Sequence, residues 1–96
     1  MKVFVIATRA DRPFEEFAPL MDKEAKQALT FMVEDFVREI YSRKDGKGAI
    51  LVCEGESEEA VLERLSALPL VQAGLLSLDA YPVGAYRAIE AAAKNL

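Results

Sequence analysis

The groups in this chain that could do chemistry stand at alternating positions within apolar strands. Asp79 lies between Leu78 and Ala80 in Gly74–Pro82, a segment with strand alternation. A carboxylate inside a strand faces either water or a cavity, and in a cavity it can act as a general base. Ser77 and Tyr81 share its parity, and Glu39 and Tyr41 repeat the pattern in a second strand. A tyrosine hydroxyl can orient a carboxylate or polarise a carbonyl. Arg9 ends the first apolar run, and a guanidinium suits an anionic ligand because it grips a carboxylate through two parallel hydrogen bonds. Each candidate also has a structural reading. Asp79 could be satisfied by Arg9 or by backbone donors, and Arg9 could form an ion pair at a strand end. Glu39 could be a charge that keeps a sheet edge from pairing. Tyr41 and Tyr81 could belong to a half-buried interface. Cys53 reads as a small core hydrophobe, with a reactive, ligand-facing thiol as the alternative.

The chain contains no histidine, which excludes imidazole bases, Ser-His-Asp and Cys-His mechanisms, and His-ligated metals. Glu54, Glu56, Glu58 and Glu59 crowd a helix start, where the helix dipole accounts for them, so no metal is expected. A net charge of −4 argues against a nucleic-acid partner. The basic group Arg38, Arg43, Lys44 and Lys47 surrounds the turn Asp45-Gly46-Lys47-Gly48 and reads as solvated charge at a hairpin tip. The apolar run Val3–Ala7 is too short for a signal core or a membrane span, so no membrane partner is expected. The lone Cys53 cannot form an internal disulfide, which fits a reducing compartment, the cytoplasm.

These groups need elements to hold them. With 96 residues, 52% of them hydrophobic, the expectation is one domain over residues 1–96. Lys2–Arg9 reads as a strand. Asp22–Phe36 follows helical spacing, with Asp22 as N-cap and an apolar stripe of Ala25, Ala28, Leu29, Met32, Val33 and Phe36. Arg38–Lys44 and Ala49–Glu54 form a hairpin. Ser57 caps a second helix, with Ala60, Val61, Leu62, Leu65 and Leu68 on its apolar side, and Pro69 ends it. The strand Gly74–Pro82 and an alanine-rich helix, Gly84–Lys94, complete the chain. The order is βαββαβ plus a C-terminal helix: an α+β, ferredoxin-like fold with a four-stranded antiparallel sheet. Ala10–Met21 is a connection long enough to suggest function, and its Phe14, Phe17, Leu20 and Met21 need dry surroundings.

Two helices cover one face of such a sheet, and the other face is usually polar. Here both parities are apolar: Phe4 and Ile6 against Val3, Val5 and Ala7 in the first strand, Ile50 and Val52 against Ala49, Leu51 and Cys53 in the third. We expect the Val3, Val5 and Ala7 set to form the second face, together with Arg9, Glu39, Tyr41, Ser77, Asp79 and Tyr81. An uncovered apolar face of several hundred Å² is more than soluble monomers normally tolerate. A second copy laid face to face would cover it and enclose a cavity, giving a homodimer or a larger even multiple. The alternative is that the final helix folds back over its own sheet.

Leu65-Ser-Ala-Leu-Pro-Leu70 resembles the Leu-Ser-Ser-Leu-Pro-Leu run of the muconolactone delta-isomerase family, and Tyr81-Pro82 resembles the Thr-Pro ending of that family's fourth strand. The hairpin between Arg38 and Ser57 is of similar length. More loosely, the chain is similar to the dimeric α/β-barrel group that includes YCII-like proteins and cofactor-independent monooxygenases. The resemblance implies assembly through the sheet face and a cavity for a small organic acid or lactone. It also implies isomerisation by proton removal and return without metal or cofactor. If the chain is such an enzyme, we expect Asp79 as base, Arg9 as carboxylate anchor and Tyr41 or Tyr81 polarising a carbonyl. Two departures stand out: Val3, Val5 and Ala7 occupy strand-one positions that are more polar in the family, and Glu39 stands where relatives can supply histidine. The alternative function is a non-catalytic, YCII-like binding or effector-sensing module using the same cavity.

Overall fold

A computed structural model describes residues 1–96. Strands β1 (Lys2–Arg9), β2 (Val37–Ser42), β3 (Gly48–Glu54) and β4 (Leu76–Val83) form one antiparallel sheet in the order β2-β3-β1-β4. Helices α1 (Phe14–Phe17), α2 (Met21–Val33), α3 (Glu58–Leu65), α4 (Pro69–Gln72) and α5 (Arg87–Ala93) complete the ferredoxin-like α+β architecture. No helix is long and apolar enough to cross a membrane.

The core lies between one sheet face and the α2–α3 layer. Val3, Val5, Ala7, Val37, Leu51 and Cys53 point into it and meet Phe31, Val61, Leu65 and Leu68. The expected assignment of faces is therefore reversed in β1 and β3. Val3, Val5 and Ala7 face the helices, and Phe4, Ile6, Ile50 and Val52 form the other side. The reason is register: Ala7 pairs with Leu78 and Val5 with Ala80, so the apolar parity of β4 selects the parity of β1 that goes inside.

Helix α2 begins at Met21 and lacks the expected Asp22 cap; Asp22 instead pairs with Lys26 at 3.0 Å. It ends three residues before Phe36 because Asp35 adopts φ 64°, the left-handed stop of a helix. The Phe36 N–H then donates to Phe31 O at 3.0 Å and the Asp35 N–H to Met32 O at 3.1 Å. The two phenyl rings meet edge to face at 5.1 Å, with the Arg64 guanidinium 4.4 Å from the Phe36 ring centre. Phe31, absent from the expected stripe, is the buried residue of α2, while Leu29 and Val33 stay exposed.

Helix α3 starts as expected, with Ser57 Oγ accepting from the Ala60 N–H at 3.0 Å. Pro69 does more than stop it. Leu68 turns extended, Pro69 opens α4, and the Leu70 N–H donates to the Glu24 carboxylate at 2.9 Å. Partial burial raises the Glu24 pKa, against the lowering effect of that N–H. Gly74, at φ 72°, ends α4 and lets the Leu75 N–H reach Leu70 O, so β4 begins at Leu76, two residues later than expected. The long connection is itself helical, as α1 and a 3₁₀ turn at Ala18–Leu20. Phe17 packs against Leu70 and Leu75, while Phe14 stays exposed.

Cys53 is fully buried in the core, and burial pushes its thiol up to about 11 from an ordinary value of 9.0. Below about pH 9 the thiol is neutral in both folded and unfolded chain. Above that only the unfolded chain ionises, so stability should fall as pH rises toward 11, by up to ~1.4 kcal/mol per pH unit. Cys53→Ser should remove this fall while costing about 1–2 kcal/mol at neutral pH. Urea melts of both chains across the alkaline range check the difference in slope; equal slopes would contradict it.

Candidate functional site

The sheet face turned away from the helices is built in four transverse rows, the outermost being Val83, Lys2 and Glu54. Asp79 pairs with Ile6, Ile6 with Ile50, and Ile50 with Tyr41, which makes a central row. One residue pair along, Tyr81, Phe4, Val52 and Glu39 line up; on the other side Ser77 lies opposite Thr8 and Thr8 opposite Gly48. Directly paired residues project to the same side. The face thus has an apolar floor of Phe4, Ile6, Ile50 and Val52 between two polar margins on β2 and β4.

On the β2 margin the Tyr41 hydroxyl donates to Glu39 Oε1, and that bond, followed by the carboxylate's negative charge, raises the tyrosine pKa. On the β4 margin Ser77 Oγ donates to Thr8 O at 3.3 Å. Asp79 and Tyr81 are exposed in the single chain. Adjacent strands are about 4.8 Å apart, so Asp79 and Tyr41 stand three spacings from each other, roughly 14 Å.

Arg9 does not join them. It has the parity of the helix-facing residues, and at the end of β1 its guanidinium donates to Gly46 O at 2.8 Å. There it lines an open cleft of about 610 Å³ with Arg12, Phe14 and Lys47. Cys53 is likewise placed on the core side, away from Asp79. Of the six candidates expected on this face, Glu39, Tyr41, Ser77, Asp79 and Tyr81 are there and Arg9 is not, while Cys53 takes the core position of its first reading.

Besides Lys2 in the outermost row, a second cation, Arg43, reaches this region. From the end of the β2–β3 hairpin its guanidinium crosses β3 to donate to Thr8 Oγ1 at 2.8 Å and Ala7 O at 3.3 Å, with the Asp45 carboxylate at 2.5 Å. Only 19% of its side chain is exposed. Asp45 is held below the usual carboxylate range by the Lys47 N–H and then by Arg43. Arg43 thus departs from the expectation of solvated charge at the hairpin tip. The signal that could have found it is parity, since Arg43 continues the Glu39, Tyr41 series.

No family model and no curated protein matches the chain. Solved structures do. A muconolactone isomerase superposes with TM-score 0.72 at 19% identity, over 90% of this chain and 91% of its own. The dehydrochlorinase TftG from Burkholderia phenoliruptrix AC1100, which acts on 5-chloro-2-hydroxyhydroquinone and is seen with 2,5-dihydroxybenzoquinone, gives 0.62 at 20%, over 92% and 98%. A Deinococcus radiodurans protein described as an antibiotic biosynthesis monooxygenase gives 0.52 at 20%, over 90% and 95%. Likenesses at 19–20% identity establish architecture, and what the chain shares with these three proteins is the ferredoxin-like α+β fold.

Proposed function

We propose that this chain acts in the cytoplasm as one domain, residues 1–96. Two copies pack sheet face to sheet face around a cavity for a small organic acid or lactone, on which the protein moves a proton without a cofactor. The observation that carries this reading is the outer face itself: an apolar floor, with an acid on one margin and a tyrosine–carboxylate pair on the other. Such a mixture of apolar walls and a few polar groups is typical of small-molecule sites. The isomerase and dehydrochlorinase likenesses agree with it.

A two-fold axis parallel to the strands would lay the β4 margin of one copy over the β2 margin of the other, across an intersheet gap of about 10 Å. Asp79 would then confront Tyr41 of the second copy. In the reaction, the Asp79 carboxylate removes a proton from the carbon next to the ligand carbonyl, and the electron pair moves onto the carbonyl oxygen. Tyr41 or Tyr81 stabilises that oxygen, and protonated Asp79 returns the proton at another carbon. Arg43 takes the anchoring role first expected of Arg9. Ser77 supplies a hydroxyl beside the acid, and Glu39 holds Tyr41.

Asp79→Asn keeps the shape and removes the basicity. Incubated with candidate lactones in heavy water, the wild type should deliver deuterium to the carbon that receives the returned proton and, as the removal step reverses, exchange it in next to the carbonyl; the variant should do both at least about 100-fold more slowly at unchanged assembled mass. Normal exchange by the variant would defeat the assignment. The second reading, a binding or effector-sensing module, is favoured by Tyr41 already donating its proton to Glu39. Saturable lactone binding with no exchange in the wild type would select it.

A further inference from the structure

At the end of β1 a second group of cations gathers, outside the rows of the outer face. Arg9, Arg12 and Lys47 line the open cleft of about 610 Å³ against a single carboxylate, Asp11, on a chain whose net charge is −4. The three cations are not equivalent. Arg12 is engaged, its Nε and Nη2 donating to the two Glu16 carboxylate oxygens at 2.9 and 2.8 Å. Arg9 and Lys47 have no carboxylate within ion-pair distance, although an ion pair at the strand end was one expectation for Arg9. Backbone holds the two side by side: the Arg9 N–H donates to Lys47 O at 2.8 Å, and the Arg9 guanidinium donates to Gly46 O at 2.8 Å. That last bond uses one of several guanidinium N–H donors and leaves the rest for a ligand. The same cleft carries Phe14, 63% exposed at the start of α1. The wall around it is fixed, since Phe17 packs against Leu70 and Leu75 and the Ala10 N–H donates to Leu75 O at 2.9 Å.

We propose that this cleft binds a small aromatic carboxylate, as a second ligand site apart from the outer face. The Arg9 guanidinium and the Lys47 ammonium hold the carboxylate, and the ring lies against Phe14. Two neighbouring cations without counter-charges repel each other, and a bound anion turns that repulsion into attraction. A guanidinium matches the planar carboxylate through two parallel hydrogen bonds, while the ammonium acts as a point charge beside it. An exposed phenyl ring next to these charges offers the ligand's ring an offset or edge-to-face partner, which a bare inorganic anion cannot use. Asp11 limits the charge of the occupant: next to a carboxylate, a phosphate dianion meets about twice the repulsion that a monoanion meets. The site does not depend on the sheet-face association, because Arg9 has the helix-facing parity and neither Lys47 nor Phe14 belongs to the outer-face rows.

The test titrates the full chain with benzoate and follows the backbone amide and arginine Nε–H signals by NMR. Saturable shifts should centre on Arg9, Phe14, Gly46 and Lys47. Benzamide, which keeps the shape without the charge, and inorganic phosphate, which keeps charge without the ring, should each bind at least about tenfold more weakly. Arg9→Gln and Lys47→Met should each weaken benzoate by at least about tenfold, and Phe14→Ser should weaken benzoate while leaving acetate unchanged. All three side chains are exposed, so the variants should keep the wild-type spectrum away from the cleft. Absence of saturable shifts, shifts confined to the outer-face residues, or unchanged benzoate affinity in either charge variant overturns the site. Phosphate binding as tightly as benzoate, or a Phe14→Ser chain that binds benzoate normally, overturns the aromatic carboxylate as its ligand.

Discussion

Leu51→Asp should abolish folding, whereas Ile50→Asp, one residue earlier in the same strand, should leave a folded chain that no longer self-associates. Leu51 is buried among Val5, Val37 and the helices, and no basic group lies in that core. A carboxylate placed there would be ionised without a partner or forced to protonate, at a cost of several kcal/mol, comparable to the whole stability of a small domain. Ile50 pairs with Ile6 and Tyr41 on the outer face, partly open in the single chain. Aspartate there is solvated in the monomer and becomes costly only when a second sheet covers it. Circular dichroism and light scattering on the two variants separate these outcomes. An Ile50→Asp chain that associates like wild type would mean that this face is not the contact surface. A folded Leu51→Asp chain would contradict the assignment of sides.

Gly48→Ala should destabilise the chain by about 3 kcal/mol or more. Gly48 opens β3 at φ +152°, a conformation that side-chain-bearing residues rarely adopt. A Cβ there would also overlap the carbonyl oxygen of Ala7 and stand 2.9 Å from its carbon. That carbonyl is backbone in the neighbouring strand, so relief requires β1 and β3 to separate where Thr8 pairs with Gly48. The same separation would pull Thr8 and Ala7 away from Arg43. The shift in urea midpoint measures the loss. Gly46, at φ +74° with open space where a Cβ would stand, is the control: Gly46→Ala should cost no more than its own backbone strain, about 1 kcal/mol. Equal losses at the two glycines would remove the steric argument.

Local pattern was enough to determine much of this protein. β-branched and aromatic runs marked the strands, Ser57 announced a helix, and alternation in β4 put Ser77, Asp79 and Tyr81 together opposite Leu76, Leu78 and Ala80. Those features depend on residues within a few positions of one another, where spacing alone carries the information. The Leu-Pro-Leu run was legible as a break, but its bond to Glu24 spans 46 positions and was not. Tertiary structure alone decided which side of β1 and β3 faces the helices. Both sides are apolar, so alternation offered two equal answers until the pairing of Ala7 with Leu78 chose one. The same choice moved Arg9 and Cys53 away from Asp79. The α2 stripe failed for a related reason, since that helix has apolar residues on two sides and the left-handed turn at Asp35 decides which goes in. Arg43 entered the site because a side chain that crosses a strand is positioned by a neighbour 35 residues away, and periodicity along one segment cannot register a partner at that distance.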